Sequence, residues 1–220
     1  MEADTKKLGA TILKSTVTAV DIALFGRMLA AAPAYNIDAA AQVSHAFTVD
    51  AVTVEDDYFT AVDDLNTGQE DKGAGHIGET GFGSGLFYLY ACVNRDLLAR
   101  NLGGDDGLAG RAIENFATAM AIASPSGKRT GFAHNPLAEA MLVEKGADQP
   151  RTLAGAFQAT VQDDDIAQAA TRAMLARKTA LDTGYGMALD ARLFDPMARA
   201  QDGPERAATL AEIAGFAGSA

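Results

Sequence analysis

Apolar and polar positions change rhythm along this chain, and each change marks an expected element. Across residues 17–28, Val20, Ile22 and Leu24 alternate with Asp21, Ala23 and Phe25, which reads as a strand with Asp21 on its solvent face or bonded to a neighbouring chain end. A second alternation, across 42–54, sets Val43, His45, Phe47, Val49 and Ala51 on one side. Residues 86–93 are apolar at every position, as expected of a central strand covered on both faces. Between these two runs lie about thirty residues too polar and too rich in glycine to form core. The pattern predicts a long hairpin arm that leaves a sheet and returns to it, carrying the aromatic pair Tyr58-Phe59 in an acidic setting.

Further on, the period lengthens to that of helices. Residues 95–102 predict a short helix stopped by Gly103-Gly104, and 108–123 a longer one with Leu108, Ala112, Phe116, Met120 and Ala123 near helical spacing. Residues 138–143 predict a last strand. Asp163-Asp-Asp165 offers an N-cap for a helix with Ile166, Ala169, Ala170, Ala173 and Met174 on one face, ended by Gly184-Tyr-Gly186. Asp202-Gly-Pro-Glu205 opens a final short helix through Leu210 and Ile213, and residues 2–14 suit the last turns of a helix with Leu8, Ile12 and Leu13 on one face. Strands followed by helices predict an α+β fold: a single domain over 1–220 with the arm, residues 52–83, inserted within it.

Composition narrows the class. With 48% hydrophobic and 21% charged residues the chain reads as an ordinary globular protein, and no run approaches the ~20 apolar residues of a membrane span. The start, Met-Glu-Ala-Asp-Thr-Lys-Lys, lacks the apolar core of a signal peptide, so the expected location is cytoplasmic, with no membrane partner. The single Cys92 sits in an apolar run and reads as a small buried side chain. A formal net charge of −11 argues against a free-standing nucleic-acid binder, because gripping a phosphate backbone relies on Lys and Arg.

Candidate chemistry is sparse. There is no G-x-S-x-G elbow and no Cys/His signature of a nucleophilic enzyme, and His45, His76 and His134 lack zinc spacing. His45, alone in an apolar alternation, reads as a hydrogen-bonded core histidine. Gly73-Ala-Gly75-His-Ile-Gly78 matches G-x-G-x-x-G in form but follows Gln-Glu-Asp-Lys and leads into more glycines, not a helix, so it reads as bends or close backbone approach. Asp56-Asp57 and Asp63-Asp64 are adjacent acids that could hold Mg²⁺ beside a phosphodiester. Tyr58 and Phe59 leave two readings open: folded back and buried, or presented to a flat partner that recovers roughly 1.5–3 kcal/mol of burial per ring. Lys128-Arg129 after a Pro-Gly turn is likewise either a solvated pair or a phosphate contact.

Several blocks resemble the CasC family, the repeated backbone subunit of the type I-E CRISPR Cascade complex. They are Val20-Asp-Ile-Ala-Leu-Phe-Gly-Arg-Met28, Val43-Ser-His-Ala46, Tyr58-Phe-Thr-Ala-Val-Asp-Asp-Leu65, Gly75-His-Ile-Gly78 and Gly83-Ser-Gly-Leu-Phe-Tyr88. Asn101-Leu-Gly-Gly104, Pro125-Ser-Gly-Lys-Arg-Thr130, His134-Asn-Pro136 and Leu153-Ala-Gly-Ala-Phe157 continue the match in the same order. The resemblance implies an RRM-like (ferredoxin-like) palm, a β-hairpin thumb at 52–83 and C-terminal helices. It also implies that Met1 aligns with the interior of the family, so the palm is incomplete at its N-terminus.

What the resemblance implies for function is a non-catalytic subunit whose copies stack along crRNA with other Cascade subunits and present the guide for pairing with target DNA. No cofactor is implied. Phe59 with Tyr58 would insert beside a base displaced from the duplex, Met28 after Gly26-Arg27 would flank the same gap, and Thr60 and Ala61 would touch backbone. His76 lies in a matched block, and Lys128 and Arg129 fall in the loop that faces the guide. Position 58 departs from the compared member, which carries Trp there. The charge is reconciled if cationic surface resides in the segment before Met1, or if Arg27, Lys128 and Arg129 act locally with stacking. Two alternatives stand beside this reading: a metal-dependent RNA-cleaving repeat subunit using arm aspartates, as in related RNA-targeting complexes, and a non-functional truncated product that exposes sheet edges.

Overall fold

A computed structural model describes residues 19–61, 76–200 and 202–220, the side chains of Ala61, His76 and Ile77 excepted. The helix expected within 2–14 and the acids Asp63 and Asp64 lie outside the described residues. The fold is mixed α+β, with small sheets in the first half and helices dominating the second.

The first element departs from the pattern. Val20–Phe25 is a helix, α1, not a strand. Val20, Ala23 and Leu24 fall at i, i+3 and i+4, so one helical face satisfies the same apolar positions that suggested alternation, and it packs into the core with Ala23 and Leu24 buried. Asp21 is exposed, as expected. Gly26 ends the helix at φ 79°, where a Cβ would stand 2.8 Å from the Ile37 carbonyl oxygen, so only glycine fits.

The two sheet-forming runs also divide. Ala41–Val43 (β1) pairs with Ala91–Val93 (β6), and Phe47–Thr48 (β2) pairs with Phe87–Tyr88 (β5), both antiparallel. The break has a local cause. Ser44 N–H donates to Tyr90 O (2.8 Å), but Tyr90 N–H turns to the Ser44 hydroxyl (3.1 Å) and leaves the backbone ladder. The run 86–93 is therefore not covered on both faces: Phe87 and Leu89 are exposed. His45, in the connection opposite the break, is exposed too and is not a core residue. Of its predicted face only Val49 is buried, while Val43, Phe47 and Ala51 are exposed.

Helices make the larger core. Arg95–Asn101 (α2) is capped by the Asn94 side chain, which accepts from Leu97 N–H, and Asp106–Ile122 (α3) is capped in the same way by Asp105. A four-residue helix, Arg129–Phe132 (α4), follows the Pro-Gly turn. The strand expected at 138–143 runs from Met141 to Lys145 (β7), and Ile166–Tyr185 (α5) has Asp165 as N-cap and Gly186 in the left-handed region as C-cap. Asp190–Phe194 (β8) and Glu205–Ala207 (β9) complete a three-stranded sheet in the order β7-β8-β9. The last helix, Leu210–Gly218 (α6), starts at a Thr209 cap, later than the Gly-Pro turn suggested, because that turn leads into β9 first.

The core joins α1, α2, α3 and α6 through Leu98, Leu102, Ala109, Ala112, Ile113, Ala214 and Ala217. Its small residues let α3 and α6 approach at backbone distance. A Cβ on Gly110 would stand 2.8 Å from the Gly218 carbonyl oxygen, and one on Gly218 would stand 2.6 Å from that of Gly110. A second, smaller cluster of Leu175, Leu193 and Ala200 seals α5 against the β7-β8-β9 sheet.

Beside it lies an ion network of two cations and two acids, each side chain at most 20% exposed. Arg151 forks onto both carboxylate oxygens of Glu144 (3.2 Å each) and also reaches Asp182. Lys178 donates to Asp182 at 2.6 Å and stands 3.6 Å from Glu144. The network ties β7 to α5 through the intervening segment.

Candidate nucleic-acid interface

Glu55–Ala61 (β3) pairs antiparallel with His76–Phe82 (β4), Glu55 facing Phe82, Tyr58 facing Glu79, Phe59 facing Gly78 and Ala61 facing His76. Every side chain from Glu55 to Thr60 is exposed, so the ribbon stands clear of the body. Neighbouring residues on a strand point to opposite faces. Tyr58 (64% exposed) and Phe59 (44%) therefore place one ring on each face of a two-stranded ribbon.

The ribbon's root is braced. Phe47 of β2, Tyr88 of β5 and Phe157 form an aromatic triad with centroid separations of 5.5, 5.2 and 6.4 Å. The Tyr88 hydroxyl accepts from Leu153 N–H at 3.0 Å, which docks the 153–157 segment against the strands that lead into and out of the arm. Further along, Phe82 of β4 meets Phe132 of α4 at 6.1 Å, joining the ribbon to the Lys128-Arg129 loop.

That loop is held by its own arginine. One terminal nitrogen of Arg129 donates to Ser124 O (2.7 Å), the Ser124 hydroxyl (3.0 Å) and Pro125 O (3.3 Å), and His134 Nε2 donates to Pro125 O at 3.1 Å. Lys128 precedes it in the left-handed region, φ 55°, with its side chain exposed. The two cations thus differ: Arg129 braces and Lys128 faces water.

Arg27 braces as well. Its backbone exchanges two hydrogen bonds with Ile37, both 2.9 Å, and its guanidinium donates twice to Tyr35 O, at 3.0 and 2.8 Å. Met28, next in sequence, is 83% exposed. For Ala61 and His76 the structure gives backbone positions at the far end of the described ribbon, as partners of one another. The structure joins Tyr58, Phe59, Thr60, Ala61 and His76 on one ribbon and connects its base to Lys128 and Arg129; Arg27 and Met28 occupy a separate closed loop after α1.

Sequence reasoning gave no role to Asn101, whose side chain joins α1 to the exit of that closed loop, or to Phe132, which links ribbon to loop. An Asn just before the Gly103-Gly104 stop and a Phe three residues after a cationic pair were the available signals.

These features define an α+β protein with a braced, aromatic-bearing hairpin. The chain belongs to the family described as CT1975-like protein, whose family model matches residues 1–215. A chain of a CRISPR RNA-guided surveillance complex, pre-nicking, is 32% identical and superposes with a TM-score of 0.80 over 90% of this chain and 55% of its own length. Another, from a CRISPR RNA-guided surveillance complex, is 31% identical with a TM-score of 0.79 over 96% of this chain and 80% of its own. The chain thus spans about half the length of the first of these and is homologous to subunits of CRISPR surveillance complexes. No curated protein matches it.

Proposed function

We propose that this chain is a non-catalytic backbone subunit of a type I-E CRISPR Cascade complex, of the CasC kind, that binds crRNA and presents it for pairing with target DNA. The observation that carries this is the ribbon with one exposed ring on each face. A ring on both faces of a thin blade suits insertion into a strand of stacked bases, where every base offers a π-face and sequence does not matter. Base pairing by the guide then supplies the sequence reading.

In this reading the body is an RRM-like palm, the ribbon within 52–83 is its thumb, and copies of the chain stack along the guide with other Cascade subunits. Tyr58 and Phe59 stack, Thr60, Ala61 and His76 line the same blade, Met28 flanks the displaced base, and Lys128 meets phosphate. Arg27 and Arg129 shape the loops that carry Met28 and Lys128. Homology to surveillance-complex subunits supports crRNA and fellow subunits as partners.

The test is size-exclusion of the chain co-expressed with its partner subunits and a guide, read at 260 and 280 nm. With no Trp and five Tyr the protein absorbs weakly at 280 nm, so bound RNA dominates the ratio. A large RNA-rich peak containing this chain is expected. An RNA-free small species or aggregate overturns the reading in favour of a chain that has lost the function.

A further inference from the structure

Residues 27–37 form a loop closed at its neck by the reciprocal Arg27–Ile37 backbone pair and filled by its own groups. The Arg27 guanidinium takes the Tyr35 carbonyl, and Leu29 N–H donates to the Asn36 side chain at 2.6 Å. Outside the neck stands Asn101, in the last turn of α2. Its Nδ2 donates to Ala23 O (3.0 Å) in the last turn of α1, before the loop, and to Asp38 O (2.9 Å), the residue after Ile37.

One amide nitrogen with two hydrogens therefore joins the end of α1 to the exit of the loop, on either side of the neck, from a helix whose neighbours Leu98, Ala99 and Leu102 are buried in the core. The loop's own bonds fix its interior, and Asn101 holds its exit together with the N–H of Asn94, the N-cap of α2, which donates to Ala40 O at 2.8 Å. Met28, 83% exposed, stands just beyond the neck.

We infer that Asn101 is a positioning residue, which holds the 27–37 loop against α2 so that Met28 is presented to the guide. The inference rests on the reading of Met28 as a guide contact. Asn101 touches no RNA and acts only through the loop. Replacing it leaves two carbonyls without their donor and lets the loop shift as a unit.

The experiment is a double-mutant cycle on guide release from the assembled complex, with wild type, Asn101→Ala, Met28→Ala and the double variant, together with amide exchange at Arg27 and Ile37 in each. Asn101→Ala is expected to speed guide release about tenfold, the scale of its two partly exposed hydrogen bonds taken together. In the Met28→Ala background the same change is expected to have little further effect, and exchange at Arg27 and Ile37 is expected to rise while amides of α3 keep their protection. Additive losses, unchanged exchange, or exchange that rises throughout α3 overturn the assignment of Asn101 alone. A complex that carries no RNA in wild type overturns the functional reading, and the assignment with it.

Discussion

Phe59 lies over Gly78: the ring of one strand of the arm covers the bare Cα of its direct partner on the other. A Cβ on Gly78 would stand 2.9 Å from both Cε atoms of the ring, closer than real contacts allow. The glycine is a seat for the ring, a cross-strand pairing in which an aromatic shields exposed backbone.

Gly78→Ala should therefore push the ring off its seat with little loss of fold, because the group displaced is the end of a side chain. Guide retention should fall toward that of Phe59→Ala, for which about tenfold or more is expected from loss of one base stack. Guide release kinetics and thermal melting of both variants check this. Equal retention by wild type and Phe59→Ala would sink the wedge role.

Salt dependence separates the three cations. Each phosphate contact on a single strand contributes about −0.7 to the slope of log affinity against log salt. Lys128→Ala should make the slope shallower by about that amount. Arg27→Ala and Arg129→Ala should weaken their loops while leaving the slope nearly as it was, since those guanidinium groups already donate to Tyr35 and to Ser124 and Pro125 carbonyls. Titrations at several salt concentrations decide between these outcomes.

Arg151→Ala should destabilise the chain by about 3 kcal/mol, because it strands Glu144 and Asp182 with Lys178 as their only remaining partner in the network. Arg151→Lys should recover only part of this, since a lysine cannot fork onto Glu144. Urea unfolding of the three proteins measures both.

Tyr90 gives a pH signature. Burial, with the neighbouring Cys92 adding to it, pushes its phenol up to about 12. The folded state thus holds the phenolic proton more tightly than the unfolded state does, so the contribution to stability is complete below pH ~10 and lost between about 10 and 12. A 295 nm titration should show a late phase that Tyr90→Phe removes. With no Trp in the chain, that phase is readable.

Much of this fold can be read from the sequence where one signal acts alone. The Asp165 cap, the Gly186 stop and the Gly103-Gly104 end of α2 follow from local backbone chemistry, and they stand where the pattern puts them. Reading fails where two periods coincide or where a side chain intrudes on a ladder. Val20, Ala23 and Leu24 satisfy a helical face as well as Val20, Ile22 and Leu24 satisfy a strand, and packing on α2 and α3 favours the helix. Nothing in the apolar run 86–93 announces that the Ser44 hydroxyl will take the Tyr90 amide and split it. In the candidate interface, Tyr58 and Phe59 were visible as an aromatic pair in a polar stretch. Their seat on Gly78 and the Asn101 bonds were not, because each joins positions that sequence spacing leaves unrelated, and the Arg129 brace was not, because a cation four and five residues after Pro125 and Ser124 reads equally well as solvated.

On the proposed function, the meeting of Phe82 with Phe132 would make the blade and the Lys128 loop a bidentate ligand for RNA. A base held by the blade would keep a nearby phosphate at a high local concentration beside Lys128, and the reverse would hold equally. Loosening that one ring contact would then weaken grip at both points without removing a group proposed to touch the guide. The strength of each subunit's hold would be a property of the tether between its two contacts as much as of the contacts themselves.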